Sequence, residues 1–151
     1  MMRVPATSPD EPTARTIRLL LVDDHALVVM AMTAAFEDVP DIELVATATS
    51  IEDALTKTAQ HRPDLVLLDR RLPDGDGVEA ITRLRANSPD LRVLLFTGAA
   101  DQTIATRVAE AGGAGVLLKA GVLENMLTTI RGVAAGDSAF DDHLLGRPRA
   151  R

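Results

Sequence analysis

The sequence predicts an α/β domain, a doubly wound parallel sheet with helices on both faces. Three observations carry this. Short apolar runs alternate with helix-patterned stretches five times, and parallel strands need such crossovers. The links are short, as in right-handed strand–helix–strand units. Four of the runs are nearly pure hydrocarbon, the pattern of strands covered on two faces, and each stops abruptly on a polar residue.

Each element has a local reason. Residues 1–15 hold Pro5, Pro9 and Pro12 among Thr, Ser, Asp and Glu, the composition of a disordered leader before a domain at 16–136. Ile17–Val22 is the first strand. A helix over Ala26–Glu37 carries Leu27, Met30, Ala31 and Ala34 at three- and four-residue spacing, an expected core face. Asp41–Thr47 is a second strand whose imperfect alternation suits a sheet edge. Ser50 is an expected N-cap for a helix reaching Gln60, before Pro63. Leu65–Leu68 is the third strand, and Gly77 opens a helix to Arg85 that Asn87-Ser88-Pro89 closes. Arg92–Thr97 is the fourth strand, and the helix Asp101–Ala111 is stopped by Gly112-Gly113. Gly115–Lys119 is the fifth strand. The last helix, Leu123–Ala135, repeats Leu123, Met126, Leu127, Ile130 and Val133 at helical spacing, and Gly136 stops it. Met30, Met32 and Met126 read as core filler. Residues 137–151 hold too little apolar material for another element and read as a tail or the start of a linker.

Composition narrows the function classes. A 151-residue chain with 46% apolar residues can bury a sizeable core. A net charge of −6 argues against a surface that coats DNA. The chain has no cysteine, which excludes disulfides and thiolate metal sites. Three Phe with no Trp or Tyr leave no stacking platform for single-stranded nucleic acid. With no apolar run of membrane length and no signal-like N-terminus, the expected location is the cytoplasm.

The strand ends carry the chemistry. The first strand ends in Asp23-Asp24, the third in Asp69, the fourth in Thr97 and the fifth in Lys119. In a parallel sheet these lie on one edge, where open α/β sheets bind ligands. Three carboxylates there repel unless a cation joins them, and oxygen donors without thiolate suit Mg²⁺. A carboxylate can attack a phosphoryl group, with Lys119 and Thr97 to meet the charge on the transferring oxygens. Plainer readings exist: Asp23-Asp24 as a cap of the first helix, Asp69 as a loop acid, Thr97 as a strand-end residue, Lys119 as a solvated lysine, and His25, whose place after the acid pair also suggests a metal ligand or base, as a helix-start residue at the rim. Four coincidences at successive strand ends favour the shared site.

As a set these residues, with Asp69-x-x-Leu72-Pro73-x-x-Asp76-Gly77, resemble the receiver domain of two-component response regulators over roughly Ile17–Gly136. The segment Gly112–Lys119 resembles the NarL/FixJ branch, which carries a LuxR-type helix-turn-helix output. The resemblance implies a flavodoxin-like (CheY-like) fold with strand order 2-1-3-4-5. It makes Asp69 the acceptor of a phosphoryl group from a sensor histidine kinase. It implies Mg²⁺ held by Asp24 directly, by Asp23 through water or directly, by Asp69 and by the backbone carbonyl of Arg71. Thr97 would move toward the phosphoryl group and Lys119 pair with it. The fourth helix, fifth strand and fifth helix would carry the output, DNA contact would come only through an output domain absent from this chain, and no membrane partner is expected. A homodimer would use apolar residues exposed on the fifth helix. Such a protein is a switch, catalysing only its own phosphorylation and dephosphorylation. Three departures stand out: Val116 where an aromatic is usual, Ala120 where Pro usually follows the lysine, and the unusually basic Arg70-Arg71 beside the acceptor. Two other readings compete. One is a receiver that signals by interaction without phosphorylation. The other is an aspartyl phosphatase or phosphotransferase, whose usual Asp-x-Asp is missing at Asp69-Arg70-Arg71.

Overall fold

The computed structural model describes residues 15–140. The expected leader, apart from Arg15, lies outside the described residues, as does the tail beyond Phe140. In chain order the elements are β1 (Ile17–Val22), α1 (Ala26–Glu37), β2 (Ile42–Ala48), α2 (Ile51–His61), β3 (Leu65–Asp69), β4 (Arg71–Leu72), β5 (Gly75–Asp76), α3 (Gly77–Asn87), β6 (Arg92–Thr97), α4 (Gln102–Glu110), β7 (Gly115–Leu118) and α5 (Leu123–Ala134). β4 and β5 make a separate antiparallel ribbon. The other five strands form one parallel sheet in the order β2-β1-β3-β6-β7. With the ribbon set aside, this is the expected 2-1-3-4-5 order.

Strand alternation divides the core. Leu20, Val22, Val66, Leu68, Val93 and Leu95 face α2, α3 and α4. Leu19, Leu21, Leu65, Leu67, Leu94 and Phe96 face α1 and α5. All are essentially inaccessible, and each contributes roughly 2 kcal/mol relative to an exposed side chain. β2 lies at the sheet edge, as its weak pattern suggests. Its alternation breaks because Leu19 pairs with Leu44 while Leu20 pairs with Ala46, leaving Val45 as a bulge. A one-residue bulge shifts which side chains face inward.

Helix α1 overturns one expectation. Its buried residues are Met32 and Phe36, with Val28 and Val29 packed beside them. Leu27 is 80% exposed and Met30 66%, so the Leu27–Met30–Ala31–Ala34 stripe faces outward and Met30 is not core filler. The helix is apolar almost all round, so two stripes compete, and the sheet takes the one bearing Phe36. In α5, Met126, Leu127, Ile130 and Val133 are buried. Apolar exposure there is confined to the β7–α5 junction, at Leu118, Val122 and Leu123, rather than spread along the helix.

The chain past Gly136 stays on the sheet for four more residues. Ala139 donates to the Ala114 carbonyl (2.8 Å) and accepts from Val116 N–H (3.1 Å), while Phe140 packs against the core on the α2–α4 side. Gly115 permits this, because a methyl group there would strike the Ala139 carbonyl oxygen.

At α2, Ser50 caps as expected, its hydroxyl accepting from Asp53 N–H (3.0 Å). A second cap comes from afar. Asp74, between β4 and β5, accepts from Ile51 N–H (2.8 Å) and Glu52 N–H (3.1 Å). These bonds hold the Asp74 carboxyl below the usual carboxylate range. A depressed folded-state pKa contributes stability that is present above the unfolded value and lost as pH falls through the folded one. Asp74→Ala therefore melts below the wild type at neutral pH, and the two melting temperatures converge in acid. A gap that does not change with pH contradicts this role.

Candidate functional site

Parallel pairing brings the strand ends together. Val22 pairs with Leu68, Asp69 with Phe96 and Thr97 with Leu118. Asp23, one residue past β1, therefore lies beside Asp69, and both are buried, at 0% and 4% exposure. Lys119 is held by its N–H bond to the Thr97 carbonyl (2.8 Å). Its ammonium crosses the end of β6, with Nζ 2.7 Å from Asp23 Oδ2 and 3.3 Å from Asp69 Oδ1. The shorter contact is an ion pair whose angle falls short of a hydrogen bond. Lys119 is thus no solvated surface lysine.

His25 meets the same two acids from the other side. Its backbone N–H and its Nδ1 both reach Asp23 Oδ1, at 2.8 and 2.7 Å. The same Nδ1 lies 3.4 Å from Asp69 Oδ2 and 3.5 Å from Asp24 Oδ1. His25 is the N-cap residue of α1 and makes no side-chain cap bond, so the acid pair does not cap this helix. Asp24 is exposed at the mouth.

Thr97 is buried in the same cleft, with its hydroxyl turned to the Ala99 carbonyl (3.1 Å). Arg71 lines the cleft from the β4–β5 ribbon. Asp69 Oδ1 also accepts from Arg70 N–H (2.8 Å). Asp69 Oδ2 has no hydrogen-bond partner among the described residues. One oxygen each from Asp23, Asp24 and Asp69, with one nitrogen of His25, lie within 4.8 Å of one another. A donor set dominated by carboxylate oxygen, with a buried oxygen unsatisfied, fits a hard divalent cation such as Mg²⁺.

Charge follows geometry. Burial raises the Asp23 carboxyl, but Lys119 and the two bonds from His25 outweigh it, and its pKa falls below the ordinary value. Burial and then the neighbouring Asp23 charge push Asp69 up, only partly offset by Lys119 and Arg70 N–H. The hydrogen bond to Asp23 raises the His25 imidazole above its usual value.

The family model described as response regulator receiver domain matches residues 19–131. The chain belongs to this family. VraR, a response regulator protein of Staphylococcus aureus, is 32% identical over 136 residues, which is 90% of this chain and 65% of VraR. The chain thus spans about two thirds of that relative's length. A LuxR-family two-component response regulator from an Aurantimonas species superposes with a TM-score of 0.78 at 31% identity, over 82% of this chain and 89% of that one. The signal receiver domain of NarL from Mycobacterium tuberculosis gives 0.76 at 28% identity, over 81% and 98%. The chain is accordingly a receiver domain of the LuxR-type response regulators.

Two residues of the loop motif, Gly77 and Asp76, take on contacts that the motif itself does not announce. Gly77 opens α3 directly against the acidic strand end, and a Cβ there would collide with the Asp69 carbonyl oxygen. Asp76 caps α3 through Val78 N–H (2.8 Å) and pairs with Arg107 of α4 (3.3 Å), tying the loop after Asp69 to that helix. Partners so far apart in sequence leave no local signal.

Because the folded receiver holds the Asp69 proton more tightly than the unfolded chain, it loses stability as pH rises through that interval. Asp69→Asn is therefore more stable than the wild type at neutral pH without divalent ions, and the difference shrinks in acid. Lys119→Met does the opposite, costing about 3 kcal/mol at neutral pH because two buried carboxylates lose their shared partner. Urea denaturation across pH checks both signs, and equal stability of all three proteins refutes the electrostatic assignment.

Proposed function

We propose that Asp69 is the phosphoryl acceptor of this receiver, charged by the phosphohistidine of a sensor histidine kinase. The observation that carries this is the buried Asp69 carboxylate, with one oxygen against Lys119 and the other unsatisfied and turned toward Asp23, Asp24 and His25. An Asp69 oxygen attacks the phosphorus, the phosphorus–nitrogen bond breaks, and its electron pair stays on the kinase imidazole, which takes up a proton. Lys119 meets the charge on the phosphoryl oxygens, and Thr97 releases Ala99 to add a hydroxyl donor. Asp23, Asp24, Asp69 and the backbone carbonyl of Arg71 are the proposed holders of Mg²⁺, which when bound neutralises charge on the reacting oxygens.

The phosphorylated state then acts on an output. Kinship with LuxR-family regulators supports transcription through a DNA-binding domain outside this chain. A cytoplasmic location and a homodimer of the phosphorylated form belong to the same reading. Among the described residues no helix is long and apolar enough to cross a membrane. The domain proper is read as residues 16–136, with 137–140 bound to its edge.

Intact mass after incubation with a small phosphoryl donor and Mg²⁺ tests the acceptor. The wild type gains one phosphoryl group, Asp69→Asn gains none, and Lys119→Met gains it at least about a hundredfold more slowly. No gain by folded wild type in the presence of Mg²⁺ moves the reading to a receiver that signals by interaction alone.

A further inference from the structure

We propose that Ala139 and Phe140, past the end of α5, are positioning residues for phosphoryl transfer, acting through Lys119. This deepens the acceptor reading above, and its kinetic test rests on that reading. β7 is four residues long and thinly covered: Gly115 is buried, Val116 and Leu117 are half-buried, and Leu118 is exposed. By contrast β3 is buried throughout, and β6 in all but Arg92. Yet the residue directly after β7 is Lys119, whose ammonium meets Asp23 Oδ2 at 2.7 Å and Asp69 Oδ1 at 3.3 Å, beyond the end of β6. A thinly buried strand paired on one side only opens easily. A reacting group misplaced by about 1 Å loses much of its effect.

The chain past α5 supplies the second side. Ala139 lies in parallel register with Gly115, donating to the Ala114 carbonyl (2.8 Å) and accepting from Val116 N–H (3.1 Å). β7 is thereby hydrogen-bonded along both flanks, to β6 and to this strap. Ala139 packs on the α1–α5 side, and Phe140 on the α2–α4 side where Val116 also lies, so the pair grips the sheet edge from both layers. A turn from α5 delivers the strap: Gly136 has φ 113°, and Asp137 N–H donates to the Gly132 carbonyl (2.9 Å). Holding β7 on both flanks holds the bond from Lys119 N–H to the Thr97 carbonyl (2.8 Å), the base from which the ammonium reaches. The three atoms nearest a methyl group at Gly115 all belong to Ala139, so Gly115→Ala acts on the strap.

The test is a double-mutant cycle on the full chain. Ala139→Pro, which removes the N–H to Ala114, and Gly115→Ala are each combined with Lys119→Met. Hydrogen exchange at the Val116 amide reads the strap, and intact mass over time with phosphoramidate and Mg²⁺ reads the transfer. Both strap variants are expected to speed Val116 exchange at least about tenfold. They slow phosphorylation at least about tenfold where Lys119 is present, and less than about twofold in Lys119→Met. Equal slowing in both backgrounds, or no slowing once Val116 exchanges freely, overturns the proposal. Unchanged Val116 exchange in both variants overturns it too, because the clamp is then not what holds β7. Urea denaturation gives an arm free of phosphoryl chemistry: in the strap variants Lys119→Met costs less stability than in the wild type, and additive losses contradict the coupling. If that coupling is present while the wild type gains no phosphoryl group, the acceptor reading falls and the hold of the strap on Lys119 stands.

Discussion

Two carboxylates buried side by side set the terms for this end of the molecule. Asp23 and Asp69 leave adjacent parallel strands at the same level, and both are buried, Asp69 with a small edge open to the cleft. Like charges so placed cannot both ionise freely without a cation between them. Lys119 is that cation, delivered from the end of β7, two places along the sheet from Asp69 and three from Asp23. Sheet order is therefore a condition of the site. Were β1 and β3 not neighbours, Asp23 would be an ordinary helix-start acid.

The imbalance within the pair gives it direction. Asp23, paired with Lys119 and hydrogen-bonded by His25, holds its charge, while Asp69, buried beside that charge, is the one whose ionisation is disfavoured. A negatively charged cluster with one unsatisfied oxygen draws in a cation, and a cation in turn lowers the cost of the Asp69 charge. The surrounding loops restrain the acidic strand end. Gly77 sets α3 against its backbone, Asp74 ties the ribbon to α2, and Asp76 ties it to α4 through Arg107. A change at Asp69 thus has rigid neighbours on which to act.

Much of this was legible in the sequence, for definite reasons. Pure hydrocarbon runs ending in Asp69, Thr97 and Lys119 mark buried strands and their common edge, and the capping role of Ser50 follows from its position. What was not legible depended on competition or distance. In α1 both faces are apolar, so periodicity cannot choose between Met30 and Met32, and packing of Phe36 against the sheet decides. The bulge at Val45, the strap at Ala139 and the remote cap from Asp74 arise from pairings between separate segments. His25 reads as a helix-start residue and is one, yet its ring meets three carboxylates because β1 and β3 are adjacent.

Burial and the neighbouring Asp23 charge make Asp69 harder to ionise than an ordinary aspartate, and a cation bound beside it eases that. Carboxyl ¹³C NMR of aspartate-labelled protein, titrated with pH in the absence and presence of Mg²⁺, measures it directly. The account predicts that Asp69 titrates above the ordinary aspartate range and Asp23 below it, and that Mg²⁺ lowers Asp69. Ordinary titration of both carboxyls, unchanged by Mg²⁺, contradicts it.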